Sequence, residues 1–437
     1  MKKFKFSNST AKITMIAILL LVMLIPISLI SNLIYDRKSY QREAVTSITE
    51  PLGGQTEIQG FVIGVPYKNY KETVDTNGNK NIETETKYII FAPDFYNLDF
   101  SVEPYYLNRG IFKVPVFKGV VKVDASFNNF DYSVFDIPEK YIDKKNAVLI
   151  LGLSNTKNLI TEPKLNLNEK DLSVSPIKYD DISPFNTSIY YNLNYVNLNE
   201  KLILSGTINF QGGENILVRP IASENIFKMS SSWTSPSFSG GWLPTERNIS
   251  DNGFFATWNI AGLSTVYPKS WLGENIFKSE TIQISFMVPV DSYKKTERSV
   301  KYALLFLIIP FIALLIAEIF SKTKIHIVQY CLIGFADIIF YLLLLSISEH
   351  ISFDLTYLIC AISVCCLTLF YASAIFKKFK WGTLLSSVQL VSYIFLYGTL
   401  QAEDYALLIG SIGLFVVVAL LMFITRKIDW YGLSQSE

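Results

Sequence analysis

The chain has 437 residues, half of them hydrophobic and 18% charged, with a formal net charge of +1. That length holds one sizeable soluble domain plus several membrane spans, and the charge balance excludes the basic footprint of a nucleic-acid binder. All four cysteines (Cys331, Cys360, Cys365, Cys366) and both histidines (His326, His350) lie beyond residue 325. The polar region before them therefore has no disulfide and lacks the residue types that make most zinc sites and nucleophile–base pairs.

Lys2, Lys3, Lys5 and Lys12 precede an apolar run from Ile13 to Ile34, interrupted by Pro26. A secretory apolar core is about 7–15 residues long and ends in a small-residue cleavage site. Here the run is longer and leads into LIYDRKSYQRE without an A-x-A pattern, so residues 1–35 are expected to be a cytoplasmic N-terminus and an uncleaved anchor. Residues 37–50 can continue the helix, and PLGG at 51–54 should stop it.

Beyond this point the period changes to two. In VKVDASF, Val121, Val123, Ala125 and Phe127 share one face while Lys122, Asp124 and Ser126 take the other. Leu202, Leu204, Ile208 and Phe210 repeat the pattern, as do Ile282, Ile284, Phe286 and Val288. AVLILGL (147–153) is apolar throughout, as a strand covered on both faces would be, and DTNGNKN (75–81) and FQGGEN (210–215) read as hairpin turns. Residues 36–301 are thus expected to form a large antiparallel, sandwich-like β domain, with two smaller sandwiches as the alternative. Trp233, Trp242, Trp258 and Trp271 are read as structural rings in preference to sugar-stacking platforms.

At PVDSYKKTERSVKYALLFLIIPFIALLIAEIF (289–320) the solvent changes. Tyr302–Phe320 would span roughly 28 Å as a helix, close to the hydrocarbon thickness, and Lys294, Lys295, Arg298 and Lys301 stand beside it as interfacial anchors. Four further apolar runs follow, Ile325–Ile347, Leu355–Phe376, Leu384–Leu400 and Tyr405–Ile424. Residues 302–424 are therefore expected to be a five-helix transmembrane bundle, giving six spans in all with the anchor, and 425–437 a short cytoplasmic tail. The connections SKTK, FKKFK and TRK are basic, whereas SEHISFD and QAED contain no Lys or Arg. With the N-terminal lysines this puts eleven basic residues on one side, which the positive-inside rule assigns to the cytoplasm. Seven basic residues flank the large domain, but long domains translocate largely regardless of charge. Both termini are then cytoplasmic and the β domain is periplasmic.

Several stretches carry a resemblance. SPSFSGGWLPTERNISDNGFFATW (235–258), PVDSYKKTERSVKYALLF, IHIVQY, FYLLLLSISEH (340–350) and TRKIDWYGLS (425–434) resemble the CreD family of bacterial inner-membrane proteins, and EIQGFVIGVPY (57–67) and RGIFKVPVFKGVVKVDASF (109–127) match it more loosely. The resemblance implies an integral inner-membrane location and a role in cell-envelope integrity, linked to a carbon-source-responsive two-component regulon. It names no catalytic residue.

Polar groups at membrane depth are the candidate functional sites. Asp337 falls mid-span, where an ionised carboxylate is costly without a partner or water; it is either a proton or ion relay or a protonated, helix-packing hydrogen bonder. Ser348, Glu349 and His350 end the same run, as a Glu–His pH sensor or an interfacial cap. Glu318 can snorkel towards Lys322 or Lys324, and Asp429, Trp430 and Tyr431 look like an interfacial anchor. No P-loop, dinucleotide fingerprint or H-E-x-x-H occurs, so no cofactor, metal or catalytic residue is expected. The expected partners are the lipid bilayer and a periplasmic or membrane protein, with no nucleic acid. The first functional reading is a non-enzymatic envelope protein whose β domain binds a protein or envelope component. The alternative is a transporter or channel accessory using the bundle and Asp337.

Overall fold

The computed structural model describes residues 8–74, 80–175, 184–185, 187–194, 196–273, 280–286, 292–402 and 405–426. It divides into two compact units, Arg42–Pro289 and Met1–Gln41 with Val290–Glu437. Helix α1 (Asn8–Thr49) holds Pro26 inside it and ends where the sequence demands, in a 3-10 turn at Glu50–Leu52. Gly53 follows at φ 89°, donating to Glu50 O at 3.0 Å, and Gly54 at φ 72°. A side chain at Gly53 would also collide with buried Asn158, whose Nδ2 lies 2.4 Å from the Cβ position.

The β unit contains β1 (Thr56–Val74), β2 (Lys80–Phe91), β3 (Phe95–Arg109), β4 (Phe112–Phe127), β5 (Val148–Leu153), β6 (Lys164–Leu167), β7 (Lys170–Asp171) and β8 (Thr187–Asn192). It continues with β9 (Leu202–Gly213), β10 (Asn215–Val218), β11 (Glu224–Ser231), β12 (Pro236–Gly240), β13 (Glu246–Ser250), β14 (Gly253–Ala261), β15 (Ser270–Leu272) and β16 (Ile282–Phe286). One sheet runs β12-β16-β10-β1-β2-β15, with β5 also on β1 and β8 on β5; the other runs β13-β14-β11-β3-β4-β9-β6-β7. Rings meet between the sheets, Phe61 on Tyr96 at 6.3 Å, Phe117 on Phe286 at 5.1 Å and Phe238 on Trp258 at 5.7 Å. The buried side chains of both sheets form one continuous core, so this is one large sandwich and not two smaller ones.

The two-residue alternation holds: Val121, Val123, Ala125 and Phe127 are buried on β4 while Lys122 and Asp124 face out. Ser126 departs from it, being buried. β5 is buried at every position and pairs with β1 on one side and β8 on the other. Trp233, Trp258 and Trp271 are buried and Trp242 packs against the core.

Three findings differ from, or fall beyond, the sequence reading. The sheets are mixed, because β1 pairs β10 and β3 pairs β11 in parallel. Long crossovers separate both pairs, as parallel neighbours require. FQGGEN is not a hairpin turn, since β9 and β10 belong to different sheets; Glu214, at φ 64°, lies at the crossing. Its glycines serve close approach, because a Cβ at Gly212 would lie 2.2 Å from Thr56 Oγ1 and one at Gly213 2.3 Å from Thr49 Cγ2. The Asn-Gly turn expected at 75–81 lies largely outside the described residues, although β1 and β2 pair up to Val74 and Lys80.

The helical unit adds α2 (Ser292–Lys301), α3 (Ala303–Ser321), α4 (Ile327–Ser348), α5 (Phe353–Phe376), α6 (Phe379–Gln401) and α7 (Ala406–Thr425). Among the described residues five helices, α1 and α3 to α6, are long and apolar enough to cross a membrane, against the six spans expected, and α7 adds a shorter apolar stretch at Leu408–Ala419. The chain is a membrane protein with a large β unit and a helical bundle.

Candidate functional site

Asp337 is buried on α4 and faces α6. Its Oδ1 accepts a hydrogen bond from Gln389 Nε2 and another from Tyr393 OH at 3.1 Å. Gln389 Nε2 also reaches Tyr393 OH at 3.4 Å, and Tyr357 OH from α5 donates to Tyr393 O at 2.7 Å. Phe340 stacks on Tyr393 at 4.4 Å between centroids, which fixes the ring. The set is therefore two neutral donors from α6 on one carboxyl oxygen of α4, with Tyr357 of α5 bonded to the Tyr393 carbonyl behind them. Asp337 Oδ2, Gln389 Oε1 and Tyr341 OH have no hydrogen-bond partner among the described residues. Sequence reasoning marked Asp337 but not Gln389 or Tyr393. The available signal was an amide in the middle of an apolar run, which must find a partner on a neighbouring helix.

The other three candidates are separated by their surroundings. Ser348 is buried and its Oγ donates to Leu345 O at 3.1 Å, within its own helix. The Glu349 carboxylate accepts from Tyr293 OH at 2.9 Å and pairs with Arg37 Nε at 3.4 Å, so it ties α1 and α2 to the end of α4. His350 is exposed in the following turn, where its backbone N–H donates to Ile347 O at 3.0 Å.

Glu318 finds a cation far from it in sequence. It pairs with Lys12 of α1, and it accepts from Tyr330 OH at 2.8 Å and from the backbone N–H of Ile325 at 3.0 Å, while Lys12 Nζ also donates to Ile325 O at 2.8 Å. Packing of α1 on α3 and α4 thus supplies a cation beyond the Lys322 and Lys324 that the local sequence suggests. At the α2 end, Glu297 is held by Lys38 and by Lys301 at 2.9 Å. Its hydrogen bonds to Lys38 and then Lys301 pull its carboxyl down from 4.5 to about 2. The Asp429–Tyr431 motif lies outside the described residues.

The β unit carries a shallow groove of about 420 Å³ across the middle of β3 and the adjoining ends of β11, β13 and β14. It is lined mainly by serines, Asn248 and Asn252, with Glu103 at one side and the partly exposed ring of Phe255. β13 is the edge strand here and is exposed along its whole length. Among the described residues no three His, Cys, Asp or Glu side chains are placed to hold a metal ion.

The M1 zinc metallopeptidase of Deinococcus radiodurans overlaps 45% of this chain and 42% of its own, at 8% identity and a TM-score of 0.23, too weak a likeness to carry an argument. The Inner membrane protein CreD of Escherichia coli (strain K12) is 26% identical over 419 residues, which cover 95% of this chain and 92% of that protein. The pattern of the family described as Inner membrane protein CreD matches residues 8–431. The long apolar helices, the two-sheet β unit and this match over nearly the full length agree, and the chain belongs to the CreD family of inner membrane proteins.

Proposed function

We propose that this protein is a non-enzymatic support of cell-envelope integrity, whose periplasmic β unit binds a protein or another envelope component. Both termini are then cytoplasmic, which the basic connections at 322–324 and 377–380 support against the Lys- and Arg-free connections opposite. The observation that carries the binding role is the groove beside β13: an open, hydroxyl- and amide-lined surface next to an exposed edge strand, which offers backbone groups for pairing. A photo-crosslinking residue placed at Asn248 or Phe255 of the full-length protein in intact cells should yield an adduct containing a protein or a glycan. Failure to form any adduct at either position, with adducts forming at a control site on β7, would remove the reading.

A second reading, a transporter or channel accessory, is favoured by one observation: Asp337 Oδ2 and Gln389 Oε1 inside the bundle have no hydrogen-bond partner among the described residues. Substrate flux in proteoliposomes that stops in Asp337→Asn supports it, and flux that persists removes it.

A further inference from the structure

A groove of about 440 Å³ runs between α3, α6 and α7. Phe306 and Ile309 form one wall, Phe395 the second, and Ile412 and Val416 the third. The one hydroxyl in the lining, on Ser392, is turned back on its own helix, donating to Val388 O at 2.9 Å. The groove therefore offers an occupant no hydrogen bond, and in a membrane protein the surrounding medium at this depth is hydrocarbon.

One end of the groove is charged. Arg298 of α2 donates from Nη2 to Thr399 O at 3.2 Å, one turn along α6 from Phe395, whose ring lies 6.4 Å from that of Phe306. Lys301 is one turn before Leu305 of the lining, and its side chain is two-thirds exposed beside Glu297. α2 carries Lys294, Lys295, Arg298 and Lys301 against Glu297 alone. A phosphate diester, which charged and zwitterionic headgroups share, matches a guanidinium and an ammonium directly.

We propose that this groove binds one acyl chain of a glycerophospholipid whose phosphate is held by Arg298 and Lys301. The full-length protein is reconstituted with phosphatidylglycerol or phosphatidylethanolamine in competition with diacylglycerol of the same chains, and retained lipid is counted by native mass spectrometry. One phospholipid is retained with a preference over diacylglycerol of about thirtyfold, the scale of two cations at a headgroup. Ile412→Trp, which fills the groove, abolishes retention, whereas Phe415→Trp, on α7 but outside the lining, preserves it. R298Q with K301Q keeps a bound chain and loses the preference. Equal retention of diacylglycerol by the wild type, or a preference that survives R298Q/K301Q, overturns the phosphate assignment. Retention that survives Ile412→Trp, or is lost equally in Phe415→Trp, overturns the groove.

Discussion

Replacing Asp337 separates packing from chemistry. Asp337→Leu leaves Gln389 Nε2 and Tyr393 OH without their acceptor inside the bundle. A buried donor left unsatisfied costs about 1–3 kcal/mol in a soluble interior, and hydrogen bonds between membrane helices measure about 0.6–2 kcal/mol. Two donors together therefore give a loss of about 2–4 kcal/mol. Asp337→Asn keeps an oxygen for both donors, so its cost is below about 1 kcal/mol. At about 2–4 °C per kcal/mol for a unit of this size, the leucine variant melts roughly 4–16 °C lower and the asparagine variant within about 4 °C of wild type.

The chain supplies its own reporter. Cys360 and Cys365 of α5 are buried, at 1% and 7% exposure, and become reactive to a thiol-directed fluorophore only when the bundle opens. Exposed Cys366 and half-buried Cys331 are first changed to serine to remove background. If Asp337→Asn falls as far as Asp337→Leu, the hydrogen-bond inventory is the wrong account and the carboxyl group itself is required. If Asp337→Asn melts like wild type but fails to restore envelope function in a deletion strain, the packing role gives way to a proton or ion relay.

Further expectations concern other polar contacts. Glu57 is buried against Arg219, with Nε–Oε1 at 2.5 Å, so Arg219→Met should lower β-unit stability by about 3–5 kcal/mol and Arg219→Met with Glu57→Gln should recover most of it; tryptophan fluorescence melts check this, and equal loss in the single and double variants refutes it. Asn158→Leu removes donors from Leu52 O at 3.0 Å and Gln211 O at 3.2 Å, for a loss of about 2–4 kcal/mol by the same melts. Glu297 has its folded carboxyl lowered to about 2, so its contribution is present above 4.5 and is lost as pH falls from there through about 2. Its side chain is 38% exposed, which limits the effect to below about 1 kcal/mol. Acid titration of melts followed by circular dichroism at the helical band should be shallower over that window in Glu297→Gln, and an unchanged slope removes the ion-pair assignment.

The parts legible in the sequence are those fixed by short-range periodicity or by length. Apolar runs of about twenty residues can only be spans or deeply buried helices, and the alternation in VKVDASF can bury only one face of a pleated strand. Fully apolar AVLILGL announced a strand buried on both faces, and β5 is one. Local glycine was ambiguous, because a residue without a side chain serves both a turn and a close backbone approach. Gly212 and Gly213 serve the second, against Thr56 and Thr49, residues far earlier in the chain.

The same limit governs the bundle. Glu318 has two lysines within one or two turns, and a further ammonium partner comes from Lys12, because the helical surface that α1 covers is decided by packing along its length and not by sequence distance. Asp337 stood out because a carboxylate at mid-span is costly wherever it points. Gln389 is uncharged and so drew no notice, although an amide in hydrocarbon has nearly the same need for a partner. A carboxyl and an amide in separate apolar runs, each requiring a hydrogen bond that lipid cannot give, most economically satisfy each other. That inference needs only the rule that buried polar groups pair, and it would have placed α4 against α6 before any coordinates were known.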